Sequence, residues 1–156
     1  MKIVVDTNIV FSAILNSDGK ICDLLLNSGK YIDFYSADYL RYEIGNHYDK
    51  LSKISKQSFD KISKTEYFVT KEITFISEEQ ISENIWRSSY DLVRDIDLDD
   101  IAFVALAKHF RCKLWTGDGV LIRGLQKNGF KNLISTNELL DYRTDLENKA
   151  NKKYGR

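Results

Sequence analysis

The chain has 156 residues, 43% of them apolar and 29% charged, which suits one globular domain with a real core and excludes a disordered chain. Its 23 Lys and Arg balance 23 Asp and Glu, so no global basic field draws it to nucleic acid. No apolar stretch approaches the roughly 20 residues of a bilayer span, and the apolar run in "MKIVVDTN" is too short for a signal peptide. Cys22 and Cys112 lie far apart in no metal or redox spacing, so reduced thiols in a cytoplasmic protein are the expectation.

In chain order, "KIVVD" at residues 2–6 is a β-branched run of the kind buried on both faces of a sheet, and it breaks at Asp6-Thr7-Asn8, residues suited to starting a helix. "NIVFSAIL" follows as a helix, and "KICDLLLNSG" predicts a second one ending near Gly29. "YIDFYS" is the next strand, and "DYLRYEIGNHYDKLS" predicts a helix with Tyr39, Leu40, Ile44, Tyr48 and Leu51 near helical spacing. Residues 57–67 predict another helix, leading into a short strand at "EITFIS". Ser77 with Gln80 three positions on is a capping-box pattern, predicting a helix from there with Ile81, Ile85, Trp86 and Leu92 inward.

A helix over 99–109, the strand "KLWTGD", a helix "GVLIRGLQKNG" closing at Gly129, the strand "NLIST" and a helix at "NELLDYR" complete the pattern. The expected organisation is one domain over residues 1–146 and a basic, frayed tail over 147–156. Strands alternating with helices imply right-handed crossovers and a mostly parallel sheet covered on both sides, a three-layer α/β/α sandwich.

Residues 91–100 carry Asp91, Asp95, Asp97, Asp99 and Asp100 against Arg94 alone, a local charge of −4. One acid suffices to cap a helix, so the surplus calls for another partner. In an open parallel sheet, functional groups gather beyond the carboxyl ends of the strands. Asp6 ends the first strand and Asp118 ends "KLWTGD". Asp100 opens the helix feeding that same strand, and Glu43 lies one turn into the helix after "YIDFYS". Capping accounts for each Asp singly, and solvation for Glu43. Converging carboxylates, however, destabilise one another unless a cation neutralises them or their pKa values rise. Scattered Asp and Glu without Cys or a His cluster suit a hard ion with oxygen ligands, such as Mg²⁺.

The segments "VVDTNIVFSAIL", "YEI", "DLDDIAFVALA" and "LWTGD" resemble, in order and spacing, the motifs of the PIN domain, particularly its toxin-like (VapC-like) bacterial branch, over about residues 2–140. The resemblance matches the family's four acids to Asp6, Glu43, Asp100 and Asp118, with Ala105 and Ala107 following Asp100 at the expected distances. Asp97 falls where this branch often carries another acid, while Asp99 and Asp95 read as a helix-initiating acid and a solvated one. The resemblance places Thr7 or Asn8 behind Asp6 as orienting groups; Ser12, one turn beyond Asn8, and Thr116, two residues before Asp118, are further supporting candidates. His47, one turn after Glu43, reads as structural or exposed, with contact to metal-bound water or substrate as the alternative, and His109 as a partner of the helix-terminal carbonyls.

The resemblance implies a Mg²⁺- or Mn²⁺-dependent endoribonuclease, with one or two ions activating water for in-line attack on a phosphodiester. Asp6 and Asp118 would be direct ligands and Asp100 would complete the set or hold a bound water. Glu43 would support a second ion or position the nucleophile. Arg41, the 50–64 lysines including Lys50 and Lys53, and Arg123 are candidates to track the RNA strand. The branch also implies a toxin paired with an antitoxin that covers the acids, and a homodimer. Two other classes stay open: a PIN-like scaffold that binds without cutting, and Mg²⁺-dependent phosphoryl transfer through an aspartate. Against the latter, the acid pair of receiver domains and the second Asp of haloacid-dehalogenase-like phosphatases are missing after the first strand.

Overall fold

The computed structural model describes residues 1–155 and contains a five-stranded, wholly parallel sheet with helices covering it. The strands are β1 (Lys2–Val5), β2 (Asp33–Ala37), β3 (Ile73–Ile76), β4 (Lys113–Trp115) and β5 (Leu133–Ile134), in the spatial order β3-β2-β1-β4-β5. Ile3, Val4 and Val5 are fully buried although successive side chains point to opposite faces, so β1 is covered on both sides. This is the three-layer α/β class that the strand–helix alternation predicts.

The crossovers are built from α1 (Thr7–Leu15), α2 (Lys20–Asn27), α3 (Tyr39–Asn46), α4 (Tyr48–Ser55), α5 (Phe59–Thr70), α6 (Glu83–Val93), α7 (Ile101–Phe110), α8 (Gly119–Lys127) and α9 (Thr136–Tyr154). Helix α7 is the apolar spine: its residues 102–107 are all buried and it packs on β1, β2 and β4. Helix α6 packs beside it and α8 packs on α6, while α1, α2, α4 and α5 form a second group. The order of strands reverses at β1: the chain moves outward to β2 and β3, then returns to the other side of β1 as β4 and β5. That reversal opens a crevice past the carboxyl ends of β1 and β4.

Several boundaries differ from the sequence expectation. The helix predicted over "DYLRYEIGNHYDKLS" is two helices, α3 and α4, broken at His47. Gly45-Asn46-His47 are all poor helix formers, and Phe11 meets the His47 ring edge-on at 5.6 Å between centroids, fixing the break against α1. Ser77 caps only the 3₁₀ turn Glu78–Gln80; the helix begins after Ser82, whose hydroxyl accepts from the Ile85 N–H. The complete capping box lies at Ser135 and Glu138, opening α9.

The expected frayed tail is instead helical as far as Tyr154. Arg143 supports that extension by pairing with Glu147 one turn on and with Asp23 of α2, and Lys152 and Lys153 sit favourably at the carboxyl end of the helix dipole. Helices α4 and α7 end on Lys56 and Arg111 in the left-handed region, at φ 55° and 52°, a conformation that usually selects glycine.

Candidate active site

The folding of β1 delivers Asp6 to the crevice floor. Its backbone N–H continues the ladder to the Trp115 carbonyl at 3.1 Å, and its side chain is buried at the start of α1. Asp6 precedes α1 and Asp100 precedes α7, yet neither carboxylate caps its helix, so capping does not account for them. Asp118 differs: its Oδ1 accepts from the N–H groups of Val120 and Leu121 and caps α8. Asp97, too, is a cap, accepting from the Asp99 N–H at 2.9 Å and starting the 3₁₀ turn Leu98–Asp100. The helix-initiating acid is therefore Asp97 rather than Asp99. Asp99 instead accepts from the Tyr39 hydroxyl, and Asp95 is exposed beside Arg94.

Thr116 is the hub. Its hydroxyl donates to Asp6 Oδ2 at 2.6 Å and accepts from Asn8 Nδ2 and from the Asp118 N–H, each at 3.1 Å. Asn8 Oδ1 accepts from the Gly117 N–H at 3.1 Å, so Asn8 stitches α1 to the loop after β4. Thr7 donates to Glu43 Oε1 at 2.7 Å, tying α1 to α3. Thr7, Asn8 and Thr116 thus bind the acid-bearing elements together. Ser12 does not reach the acids: its hydroxyl donates back to the Asn8 carbonyl at 2.9 Å and braces α1.

The acids feel one another's charge. Burial, followed by the Glu43 and Asp118 carboxylates, pushes Asp6 up to about 6, against the lowering effect of the Thr116 hydrogen bond. Burial likewise raises Asp100 to about 8, with Asp6, Asp97, Asp118 and Glu43 all adding to it. Glu43 is raised by burial and then by Asp99 and Asp97, with Thr7 opposing. The Tyr39 hydroxyl is pushed up to about 12 by burial and by the Glu43 and Asp99 charges, so it stays a donor.

The donor set is all oxygen, drawn from separate rigid elements, and carries excess negative charge. That chemistry fits a hard divalent cation. Among the described residues, however, no three His, Cys, Asp or Glu side chains already stand as a coordination cage.

The candidate cations lie at different places. Arg123 is exposed and folds its guanidinium over Gly119, so that a Cβ there would fall 2.9 Å from Nη1, immediately beside Asp118. Arg41 stacks on the Phe75 ring at 4.0 Å, two residues from Glu43 and hence on another side of α3. Lys50 and Lys53 are exposed on α4. His47 lies at the α3–α4 junction, and His109 in the last turn of α7 meets the Phe110 ring.

A family model described as PIN domain matches residues 4–144. The chain belongs to the PIN domain family. Two solved structures share this PIN fold. VapBC2 from Rickettsia felis, bound to a DNA fragment from their promoter, aligns with a TM-score of 0.65 and 15% identity, covering 86% of this chain and 98% of that one. PAE2754 from Pyrobaculum aerophilum aligns with a TM-score of 0.67 and 15% identity, covering 93% of this chain and 90% of that one. A sequence search of curated proteins finds no significant match.

Two features of the PIN crevice were not anticipated from sequence: the Thr7–Glu43 bond and the Tyr39–Asp99 bond. Each joins residues far apart in the chain, and only the approach of α1 and the 98–100 turn to α3 brings them together.

Proposed function

We propose that this PIN domain is a Mg²⁺- or Mn²⁺-dependent endoribonuclease that hydrolyses phosphodiester bonds in the crevice of Asp6, Glu43, Asp100 and Asp118. The observation that supports it best is the gathering at the switch point of the sheet of Asp6 and Asp100, neither of which caps its helix, with Asp6, Asp118 and Glu43 near enough to Asp100 to raise it beyond the effect of burial. A bound divalent ion would supply Lewis acidity, activating the attacking water and neutralising charge that develops on the phosphate.

Asp6 and Asp118 would hold the ion in this reading, with Asp100 completing the set and Asp97 close enough to Asp100 to add to the negative charge. Thr116 fixes which oxygen of Asp6 stays free, because Oδ2 is taken. Glu43, held through Oε1 by Thr7, orients the attacking water and accepts its proton with the oxygen left free. Arg123 beside Asp118 meets the phosphate entering an otherwise anionic site, and Lys50 and Lys53 guide the strand further out.

Resemblance to the toxin-like branch, and a fold shared with VapBC2, support a toxin kept inactive by an antitoxin that covers the crevice. In this reading the protein acts as a homodimer in the cytoplasm; no helix among the described residues is long and apolar enough to cross a membrane.

The second reading is a PIN scaffold that binds RNA or a partner without cutting, favoured by the lack of a ready coordination cage among the described residues. Incubation of purified protein with RNA in Mn²⁺, Mg²⁺ or EDTA, beside Asp6→Asn, separates the two. Cleavage that needs the metal and is lost in Asp6→Asn is the expected result. Equal cleavage by the variant, or none under any condition, defeats the nuclease reading.

A further inference from the structure

A cavity of about 560 Å³ adjoins the acid crevice, between α3, the α7 start and α6, in the size range of small-ligand pockets. Its walls are Tyr39, Tyr42, Trp86, Leu98 and Ile101. The Tyr39 and Tyr42 rings are stacked, with centroids 5.7 Å apart and planes at 26°. Tyr39 is pinned: its N–H donates to Glu78 Oε1 at 2.7 Å and its hydroxyl to Asp99 Oδ1 at 3.4 Å. Tyr42 is 64% exposed, so the stack has an open end.

Besides the Tyr39 and Tyr42 hydroxyls and the Trp86 indole N–H, the polar groups on the cavity are three carboxylates, Asp38, Glu78 and Asp99, and none of the residues lining it is Lys or Arg. Such a lining repels phosphate and accepts hydrogen bonds. Asp99 adjoins Asp100, and Tyr39 lies one helical turn from Glu43, so the cavity opens within about one nucleotide of the acids.

From this juxtaposition we infer that the cavity is a subsite for an unpaired nucleobase carrying an exocyclic amino group, next to the scissile phosphate. The base extends the Tyr39–Tyr42 stack, as bases do on aromatic platforms of single-strand binders. Its amino group donates to one of the lining carboxylates, Asp38, Glu78 or Asp99; carboxylates accept from cytosine N4 in this way. Uracil sets a carbonyl at the same place, acceptor against acceptor, and binds more weakly there. That the base belongs to an RNA substrate rests on the nuclease reading; the preference for the amino group does not.

The test is a titration of the full chain with cytidine and with uridine, neutral probes of equal size, read by tryptophan fluorescence. Trp115 is fully buried and supplies a constant background, while Trp86 lines the cavity, and Trp86→Phe checks the source of the signal. Cytidine is expected to perturb Trp86 about 10-fold more tightly than uridine, and Tyr42→Ala to weaken cytidine by about 10-fold. Pentaribonucleotides differing only by C or U beside the cut are expected to show the same preference in cleavage.

Equal binding of the two nucleosides, or binding indifferent to Tyr42→Ala, overturns the subsite. So does a cavity that ignores nucleosides and is filled only by a protein partner. Selective cytidine binding in a protein that cleaves no RNA supports the subsite and sinks only the nuclease reading.

Discussion

Asp6 and Asp100 carry a stability consequence whose direction is fixed. Both sit above the ordinary 3.8, at about 6 and about 8, so the folded chain holds protons that the unfolded chain has released. Their contribution to stability is fully present below about pH 4 and is lost as pH rises towards 8. Asp23 and Glu138 act oppositely: partners lower them, so their contribution is lost only in stronger acid. In EDTA the melting temperature should therefore fall between about pH 5 and pH 8, and Mn²⁺ should flatten that fall. Thermal melts across this range, with and without the ion, check it, and a rising curve in EDTA would be incompatible with the charge arrangement. At pH 8 in EDTA, Asp6→Asn should melt several degrees above the parent, since removing a charge that burial disfavours, on a group raised from 3.8 to about 6, relieves about 1–3 kcal/mol. The Thr116 hydroxyl still finds an acceptor in the asparagine.

At the scale of elements, one threonine joins three of them. Thr116 follows β4, holds Asp6 at the end of β1, takes Asn8 of α1 and steadies the loop into α8. Thr116→Val keeps the shape and strands the part-buried Asn8 donor and Asp118 N–H, a loss of about 1–3 kcal/mol. With Asp6 no longer fixed, metal-dependent cleavage should also drop about 10–100-fold. Thr116→Ser should restore most of both, and melting with single-turnover assays on the pair of variants separates positioning from stability. A plainly structural contrast is available at α9. Ser135→Ala removes the capping box, and should lower stability by about 1 kcal/mol, read as a drop of about 2–4 °C, without altering cleavage or nucleoside binding.

For the whole molecule, the sheet could be read from sequence because its strands are short apolar runs closed by turn residues, β-branched in "KIVVD" and Leu-Trp in "KLWTGD". The shared edge of Asp6, Asp100 and Asp118 was legible for a related reason: Asp6 and Asp118 stand at strand-to-helix junctions and Asp100 at the start of the helix that runs back into β4, and a parallel sheet collects strand ends and the starts of such helices at one rim. What escaped sequence reasoning depends on approach in space. Ser77 and Ser82 both precede plausible helix starts, and packing of Ile81 into the core decides for the second. The break at His47 is set against Phe11 of another helix. The aromatic cavity needs α3, α6 and the 98–102 segment together; in sequence Tyr39 reads as core or crevice wall and Trp86 as an inward helix position.

The left-handed ends of α4 and α7 have a practical use. Lys56 and Arg111 bear side chains where the backbone twist crowds a Cβ, and both are exposed. Glycine there relieves that crowding, partly offset by a looser unfolded chain, for a net gain of up to about 1 kcal/mol each. Neither position borders the acids or the aromatic cavity. The doubly substituted chain would thus be a sturdier host in which damaging crevice variants stay folded long enough to be assayed.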